Sequence, residues 1–580
     1  MRVLFAALHL AHFRNFESVI RELSARGHAV HLTGDEPESL GGRELAERLA
    51  QECPGVTWDL LPSIEQEPWY DAARRMRVAL DYARVLGPDY PDKLRRRTEE
   101  RAPRVVRWSS RLPAIGPRLT RAALMRFERL MPTSERLVEY LRSHRPDVLV
   151  LASLTYSRSQ QLDLLKAART LKIPVAAAIL SWDHLSSKAL LHMAPDSVIV
   201  WNEVQKDEAI RMHGLPGDRI MLTGAQCYDQ WFTRTPARSI EAFCRTVGLR
   251  PDKPFVLWVH SALSPTPDPP EPILVTRWIE ALRRSADPRL REMGVLVRPH
   301  PERLKEWAGV SLDRFENVAF YGRNPIDADA KDDYFDSLYY SRAVIGLVTS
   351  AFLEAAIVGR PVLTFTLPEY RMHQEEMIHF RYLMNVEGGL LRMAADLDEH
   401  FRQLSEAVAL DGARDERNRR FLRAFIRPEG LERPATPAFV DALERVQRDD
   451  VRVDPSLARG SWLRPVVVAA ASWSRTGLGR WLMNDKRDDA WDDHEATTQR
   501  SLMSRREAKS QRQREKVRRR EWRQRRDAAM AFGKEVKSAM RKARHRTAIS
   551  VYRALYVTRI WRGELPGTQG RGGSAAGKES

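Results

Sequence analysis

The residues best placed to do chemistry lie in short polar turns that directly follow apolar runs. The segment Ala343 to Phe365 (AVIGLVTSAFLEAAIVGRPVLTF) reads as a strand, a turn at Val348, Thr349 and Ser350, a helix, a Gly-Arg-Pro break and another strand. Thr349 or Ser350 would cap that helix, whose first N–H groups are unsatisfied donors at the positive end of the dipole. Hydroxyls and backbone donors together make a seat for a phosphate, although an ordinary empty N-cap has the same sequence. Glu354 falls on the same helix face as Ser350, either to accept from ribose hydroxyls or to stand as a solvated helix charge. In VLVRPHP (Val295 to Pro301), Arg298 and His300 form a polar strand tip stiffened by two prolines. A guanidinium offers phosphate a fork of donors and an imidazole adds another. The plain alternative is a polar strand end that serves folding only.

Candidate bases come from the first half. The loop His9-Leu10-Ala11-His12-Phe13-Arg14 follows the first apolar run, and an imidazole there could take a proton from an acceptor hydroxyl near neutral pH. His12, closer to the following helix, is preferred over His9; a packed loop histidine is the competing reading. In SWDHLSSK, Asp183 and His184 again follow a strand. Asp183 could act as base or orient one, and Lys188 could help neutralise a leaving phosphate; a simple Asp turn looks the same. No nucleophilic triad, P-loop or zinc spacing occurs. Cys53, Cys227 and Cys244 are few and odd in number, so neither a disulfide framework nor a metal site is expected, and no cofactor is implied.

Elements that put all these turns on one side are those of parallel sheets wrapped by helices. Strands are expected at Arg2–Leu8, His28–Thr33, Val56–Leu61, Asp147–Ala152, Pro174–Leu180, Ser197–Trp201 and Ile220–Thr223, with helices at Asn15–Arg26, Ser157–Leu171 and Glu203–His213. A helical, Arg-rich insertion interrupts them at about 69–143. A second set follows a connection near 234–250: strands at Phe255–His260, Val295–Arg298, Val318–Tyr321, Ala343–Leu347 and Val362–Phe365. Helices then follow at Leu397–Ala409, Asp415–Ile426 and Thr436–Gln447. The expected fold class is α/β, with two doubly wound Rossmann-like domains facing a cleft, at residues 1–233 and 254–450, and a tail at 451–580. Ligands of such sheets bind outside the carboxyl ends of the strands, where the candidate residues fall.

The 580 residues are too many for one ordinary core, and a 43% hydrophobic content excludes a wholly disordered chain. No apolar run reaches the ~20 residues of a spanning helix. The opening MRVLFAALHLAHF resembles a signal peptide but meets His12 and Arg14 instead of a cleavage site, so a cytoplasmic protein is expected. Charge is uneven. Residues 500–580 hold 24 Lys+Arg against 7 Asp+Glu, whereas residues 1–499 hold 71 against 70. The nearly neutral body argues against a nucleic-acid-binding body.

The order RPHP, then DSLYYSRAVIGLVTSAFLEAAIVGRPVLTF, resembles the donor half of B-type, two-Rossmann-domain glycosyltransferases (GT-B). It is nearest to the group with CDP-glycerol glycerophosphotransferases and surface-polysaccharide transferases. RNFESVIRELSARGHAVHLTG is similar to the start of the acceptor domain, and PVAAAILSWDHLSSKALL with DSVIVWNEVQKDEAIRMHGLPGDRIMLTG to its middle. The resemblance spans about residues 2–440. It implies transfer of a sugar or polyol phosphate from a nucleotide-activated donor to a hydroxyl acceptor in cell-surface polysaccharide or glycolipid synthesis, usually without a metal. It places Arg298 and His300 at the donor's phosphates, Thr349 and Ser350 at the pyrophosphate and Glu354 toward the ribose; the loop positions offer His12 or Asp183 as base. The long insertion and the tail depart from the pattern and leave the acceptor unassigned. The alternatives are a nucleotide-sugar epimerase of the same fold and a non-catalytic polysaccharide- or nucleic-acid-binding protein.

In the tail, Ile549, Tyr552, Leu555, Tyr556 and Ile560 recur at helical spacing among arginines, the pattern of a basic helix lying on an anionic membrane. Trp462, Trp473, Trp481 and Trp491 precede it as interfacial anchors. The expected location is therefore the inner face of the cytoplasmic membrane, reached through residues 500–562, with a lipid-linked acceptor as one possibility; nucleic acid is the competing partner.

Overall fold

A computed structural model describes residues 1–483 except 36–40, 88–89, 111–115, 157–158, 264–266, 324, 326–327, 410–414, 450–460 and three pairs between 474 and 481. The basic tail with its amphipathic stretch 549–560, together with Trp481 and Trp491, lies outside the described residues.

Seven strands form the first sheet: β1 (Arg2–Ala7), β2 (Ala29–Gly34), β3 (Val56–Leu60), β4 (Val148–Leu151), β5 (Val175–Ala178), β6 (Ser197–Val200) and β7 (Ile220–Leu222). They are all parallel, in the order β3-β2-β1-β4-β5-β6-β7. Six strands form the second: β8 (Phe255–Val259), β9 (Gly294–Arg298), β10 (Val318–Phe320), β11 (Val344–Ile345), β12 (Val362–Phe365) and β13 (Arg392–Ala394). Their order, β10-β9-β8-β11-β12-β13, repeats the first six positions of the other sheet, and again every pairing is parallel. Both are doubly wound Rossmann-like sheets.

Strand alternation decides which helices cover which face. Leu4, Ala6, Leu149, Leu151, Val175 and Ala177 pack with Tyr70, Ala73, Leu130 and Leu137, so the helical insertion covers one face of the first sheet. Val3, Phe5, Val148 and Val150 pack on the other face with Phe16, Val19 and Ile20. Among the described residues the insertion holds five helices, Tyr70–Val85, Asp92–Arg101, Arg104–Ser110, Gly116–Leu130 and Glu135–His144. Buried Arg77 ties them to the sheet's own layer, pairing with Glu128 at 3.0 Å and with Asp163 at 2.6 Å, while Lys166 reaches Glu128 at 2.6 Å.

The chain does not end on the second sheet. Helix Ala435–Arg448, sequentially last in the second set, places Phe439, Val440 and Leu443 in the core of the first sheet. Its entry is fixed by buried Asp229, which pairs with Arg427 at 2.6 Å and accepts from the Ala435 and Thr436 amides at 3.0 and 2.7 Å. Helix Arg464–Trp473, expected as the start of a separate tail, buries Val467 and Ala471 against the insertion.

Three local departures from the sequence reading have clear causes. The helix expected from Ser157 begins at Gln161, because Asp35 takes the Ser159 hydroxyl and the Gln160 amide at 2.6 and 2.7 Å and holds the preceding turn open. β11 stops at Ile345, two residues before the expected end; Gly346 runs so close to β8 that a Cβ there would sit 2.8 Å from the Val259 carbonyl. β13, three residues at the sheet edge, carries too short an apolar run to be expected.

Candidate active site

The turns after β1, β4 and β5 meet. His12 lies in the 3-10 turn Leu10–Asn15, with Nδ1 3.1 Å from the Ser153 hydroxyl just beyond β4. Ser153 Oγ also accepts from the Leu8 amide at 3.0 Å, so it is fixed from both strands. The His12 ring lies 5.5 Å from the Tyr156 ring, which meets His184 edge-on at 5.3 Å, and Lys188 Nζ stands 5.4 Å over Tyr156. Loss of hydration, reinforced by the positive fields of His9, His184, Arg14 and Lys188, holds the His12 pKa well below its ordinary value. His184 falls to about 4 for the same first reason, even though Asp183 opposes it. Both imidazoles are neutral at pH 7.

Asp183 behaves in the opposite sense. Burial alone would raise its pKa, but His184, Lys188 and His379 together with a Ser181 hydrogen bond hold it below the usual carboxylate range. The Ser187 hydroxyl donates to it at 3.1 Å. His379 comes from helix Ile378–Asn385 of the second half and stands edge-on to Trp182 at 4.9 Å.

On the second sheet, Arg298 ends β9 and is buried, with its guanidinium 4.9 Å from the Tyr334 ring centre and Nη2 donating to the Arg323 carbonyl at 3.0 Å. Gly322 permits this, since a Cβ there would come 2.8 Å from Arg298 Cγ. Nη1 of Arg298 has no hydrogen-bond partner among the described residues. The Tyr334 hydroxyl donates to Glu354. Burial pushes the Glu354 carboxyl up to about 7, against the Tyr334 hydrogen bond and the fields of Arg298 and Arg14. Arg14 belongs to the loop after β1, and Tyr228 feels both Glu354 and Asp183. The carboxyl ends of the two sheets therefore address one site.

Not every expected residue joins this group. Thr349 Oγ1 accepts from the Ala351 amide at 3.3 Å, whereas Ser350, at the N-cap position, makes no capping bond and is exposed. The helix they begin is short, Ala351–Ile357. His300 has surroundings different from those of Arg298: its pKa falls to about 4 through burial and the Arg303 charge, and its field reaches His260. His260 is buried at the end of β8, 3.9 Å from Glu271 and 3.8 Å from Glu306. The next residue, Ser261, holds the turn before Thr349, accepting from the Val348 amide at 3.0 Å.

No protein-family model and no curated protein matches the chain. Solved structures with a similar chain course include a glycosyltransferase from Rickettsia africae, at 9% identity, 77% of this chain, 99% of that one and a TM-score of 0.46. UDP-GlcNAc 2-epimerase from Neisseria meningitidis bound to UDP-GlcNAc is 13% identical, over 77% of this chain and 100% of that one, with a TM-score of 0.42. The UDP-GlcNAc 2-epimerase from Methanocaldococcus jannaschii is also 13% identical, over 77% and 99%, at 0.43. At these identities no residue role passes from those proteins to this chain.

Ser153, Tyr156, Tyr228, Tyr334 and His379 were not singled out by the sequence. Each is distant in sequence from the group it serves, and only the paired strand ends bring them together. Among the described residues one trio could hold a metal ion, His31, Asp59 and His144, whose ligand atoms lie within 4.8 Å of one another. His31 lies on β2, Asp59 on β3 and His144 at the end of helix Glu135–His144, and the carboxylate already accepts from Tyr140 at 2.6 Å and Thr33 at 3.1 Å.

Proposed function

We propose that the chain is a transferase that takes a sugar or polyol phosphate from a nucleotide-activated donor and passes it to a hydroxyl. The observation that carries this reading is the meeting of two unlike groups at the facing strand ends: neutral imidazoles after β1 and β5, and a buried guanidinium with a high-pKa carboxyl after β9 and β11. In this reading Arg298 uses its spare N–H on the donor's phosphates, stabilising the charge that develops on the leaving nucleotide, a diphosphate when a sugar is transferred and a monophosphate when a polyol phosphate is. Thr349, Ser350 and His300 stand outside the Arg298–Glu354 group, and this reading gives them no contact with the donor's phosphates. Glu354, protonated below about pH 7, donates to a donor oxygen that an ionised carboxylate would repel.

His12 is the base. In the tautomer that donates Nδ1–H to Ser153, the Nε2 lone pair is available for the acceptor proton, and the depressed pKa keeps it available at neutral pH. Asp183 is held too far below the usual carboxylate range to be an effective base. It acts instead as the fixed counter-charge of Lys188, the residue assigned to the leaving phosphate. The acceptor side includes the insertion, and a lipid-linked acceptor at the inner membrane face suits the basic tail.

A second reading, epimerisation of a nucleotide sugar, is favoured by one feature. Tyr228 senses two carboxyls with pKa values pushed in opposite directions, Glu354 as acid and Asp183 as anion. The deciding experiment incubates the full chain with labelled UDP-, CDP-, GDP- and dTDP-activated sugars and CDP-glycerol, with and without a cell-envelope lipid extract. Label moving to the extract supports transfer. An epimerised donor without extract supports the second reading, and an unchanged donor in every arm rejects both.

A further inference from the structure

Three neighbouring helical segments carry large apolar side chains on their solvent sides. In helix Arg464–Trp473 and the turn before it, Val467 and Ala471 face inward, while Trp462, Val466 and Trp473 recur at i, i+4 and i+11 on the outside. Trp462 is 76% and Val466 63% exposed. Helix Gly116–Leu130, which this helix touches, buries Leu124 and Leu130 but exposes Leu119 (63%), followed along the same stripe by Ala122, Ala123 and Arg126. Helix Arg104–Ser110 packs on it in turn, burying Val106 and leaving half of Trp108 exposed. Elsewhere among the described residues, large exposed apolar side chains are scattered, as a soluble surface allows; here they gather.

The charge of the two outer helices is basic. Helix Gly116–Leu130 carries Arg118, Arg121, Arg126 and Arg129 against one acidic residue, Glu128, and helix Arg464–Trp473 carries Arg464 and no acidic residue. Glu128 is turned inward and spent on Arg77 and Lys166, so it offsets nothing at the surface. Apolar and tryptophan side chains set on helices whose outward charge is basic match the boundary of an anionic bilayer, where acyl chains take the apolar groups and headgroups take the guanidinium ions. Nucleic acid would use the arginines but leave Leu119 and Val466 without a partner.

We propose that this face, formed by helices 116–130 and 464–473, docks on an anionic membrane surface, independently of the basic tail. No helix among the described residues is long and apolar enough to cross a membrane, so the attachment is interfacial. The body would then be oriented on the bilayer by its insertion and not merely tethered by residues 500–562.

The test places a fluorophore at Val466→Cys, at Leu119→Cys or, as a control on the second domain, at exposed Leu304→Cys in the full chain. Each protein is mixed with vesicles of 70% phosphatidylcholine and 30% phosphatidylglycerol that carry brominated acyl chains. The expected result is quenching at positions 466 and 119 in vesicle-bound protein and none at 304. Bound protein unquenched at 466 or 119, failure to bind the vesicles, or binding to duplex DNA alone would overturn the proposal. Val466→Asp with Leu119→Asp should lower partition to the same vesicles at least tenfold while circular dichroism stays unchanged, and Leu304→Asp should not.

Discussion

The two sheets share one strand order, yet their carboxyl ends carry opposed chemistry. The first ends in imidazoles that desolvation keeps neutral, braced by Ser153 and Tyr156. The second ends in a buried guanidinium stacked on Tyr334 beside a carboxyl that desolvation raises to about 7. Topology therefore fixes where a ligand binds but not what is bound. Desolvation acts on both ends, and its sign for each group follows from the charge of that group's ionised form: it stabilises the neutral imidazole on one side and the neutral acid on the other.

Breaking the first end should have the largest effect. His12→Ala should lower kcat/KM by about 10²–10⁴-fold, the usual contribution of a positioned base, while leaving the affinity for donor within about twofold. Steady-state kinetics alongside calorimetric donor binding separates the two. Breaking the second end should do the reverse. Arg298→Ala should weaken donor binding by about 10–100-fold, as expected for loss of a charge-assisted contact worth about 1.5–3 kcal/mol.

Smaller effects sharpen the contrast through pH. Glu354 binds its proton more tightly in the folded chain than its ordinary value of 4.5 allows, so the native state loses stability relative to the unfolded one as pH rises from 4.5 to about 7, and no further above that. The shift corresponds to about 3 kcal/mol. Denaturation of Glu354→Gln should lack this decline, since Gln keeps a neutral donor at every pH. His12 has the opposite sign of proton linkage. Its depressed pKa means that stability is lost as pH falls below 6.5, and the acid limb of kcat/KM should lie below pH 6.5. Ser153→Ala should give the smallest change, about tenfold in kcat with KM unaltered, because the ring loses its orienting partner but not its lone pair.

Much of this contrast was legible in the sequence. Runs such as RVLFAA, FVLWV and VLTF are continuous and apolar because both faces of a parallel sheet are covered, and the polar turns after them mark the ligand side. His12, Asp183, Arg298 and Glu354 stand out for that reason. Their protonation states do not, because burial comes from the packing of whole elements and is opposed by groups that approach from elsewhere in the chain: Tyr334, Arg298 and Arg14 for Glu354, and His184, Lys188 and His379 for Asp183. A shared strand tip and the family resemblance pair Arg298 with His300 in the sequence. Beyond β9 the chain enters the 3-10 turn Pro301–Trp307, and the field of Arg303 in this turn joins burial in lowering the His300 pKa. The return of helix Ala435–Arg448 to the first sheet was equally hidden, since an amphipathic helix does not say which sheet it covers.

The most direct test of two unlike ends serving one site is a thermal-shift panel of nucleoside diphosphates and nucleotide-activated sugars on wild type, Arg298→Ala and His12→Ala. The account predicts that at least one nucleotide-activated donor stabilises wild type and His12→Ala alike and stabilises Arg298→Ala far less. No stabilisation of wild type by any member, or equal stabilisation of all three proteins, would contradict it.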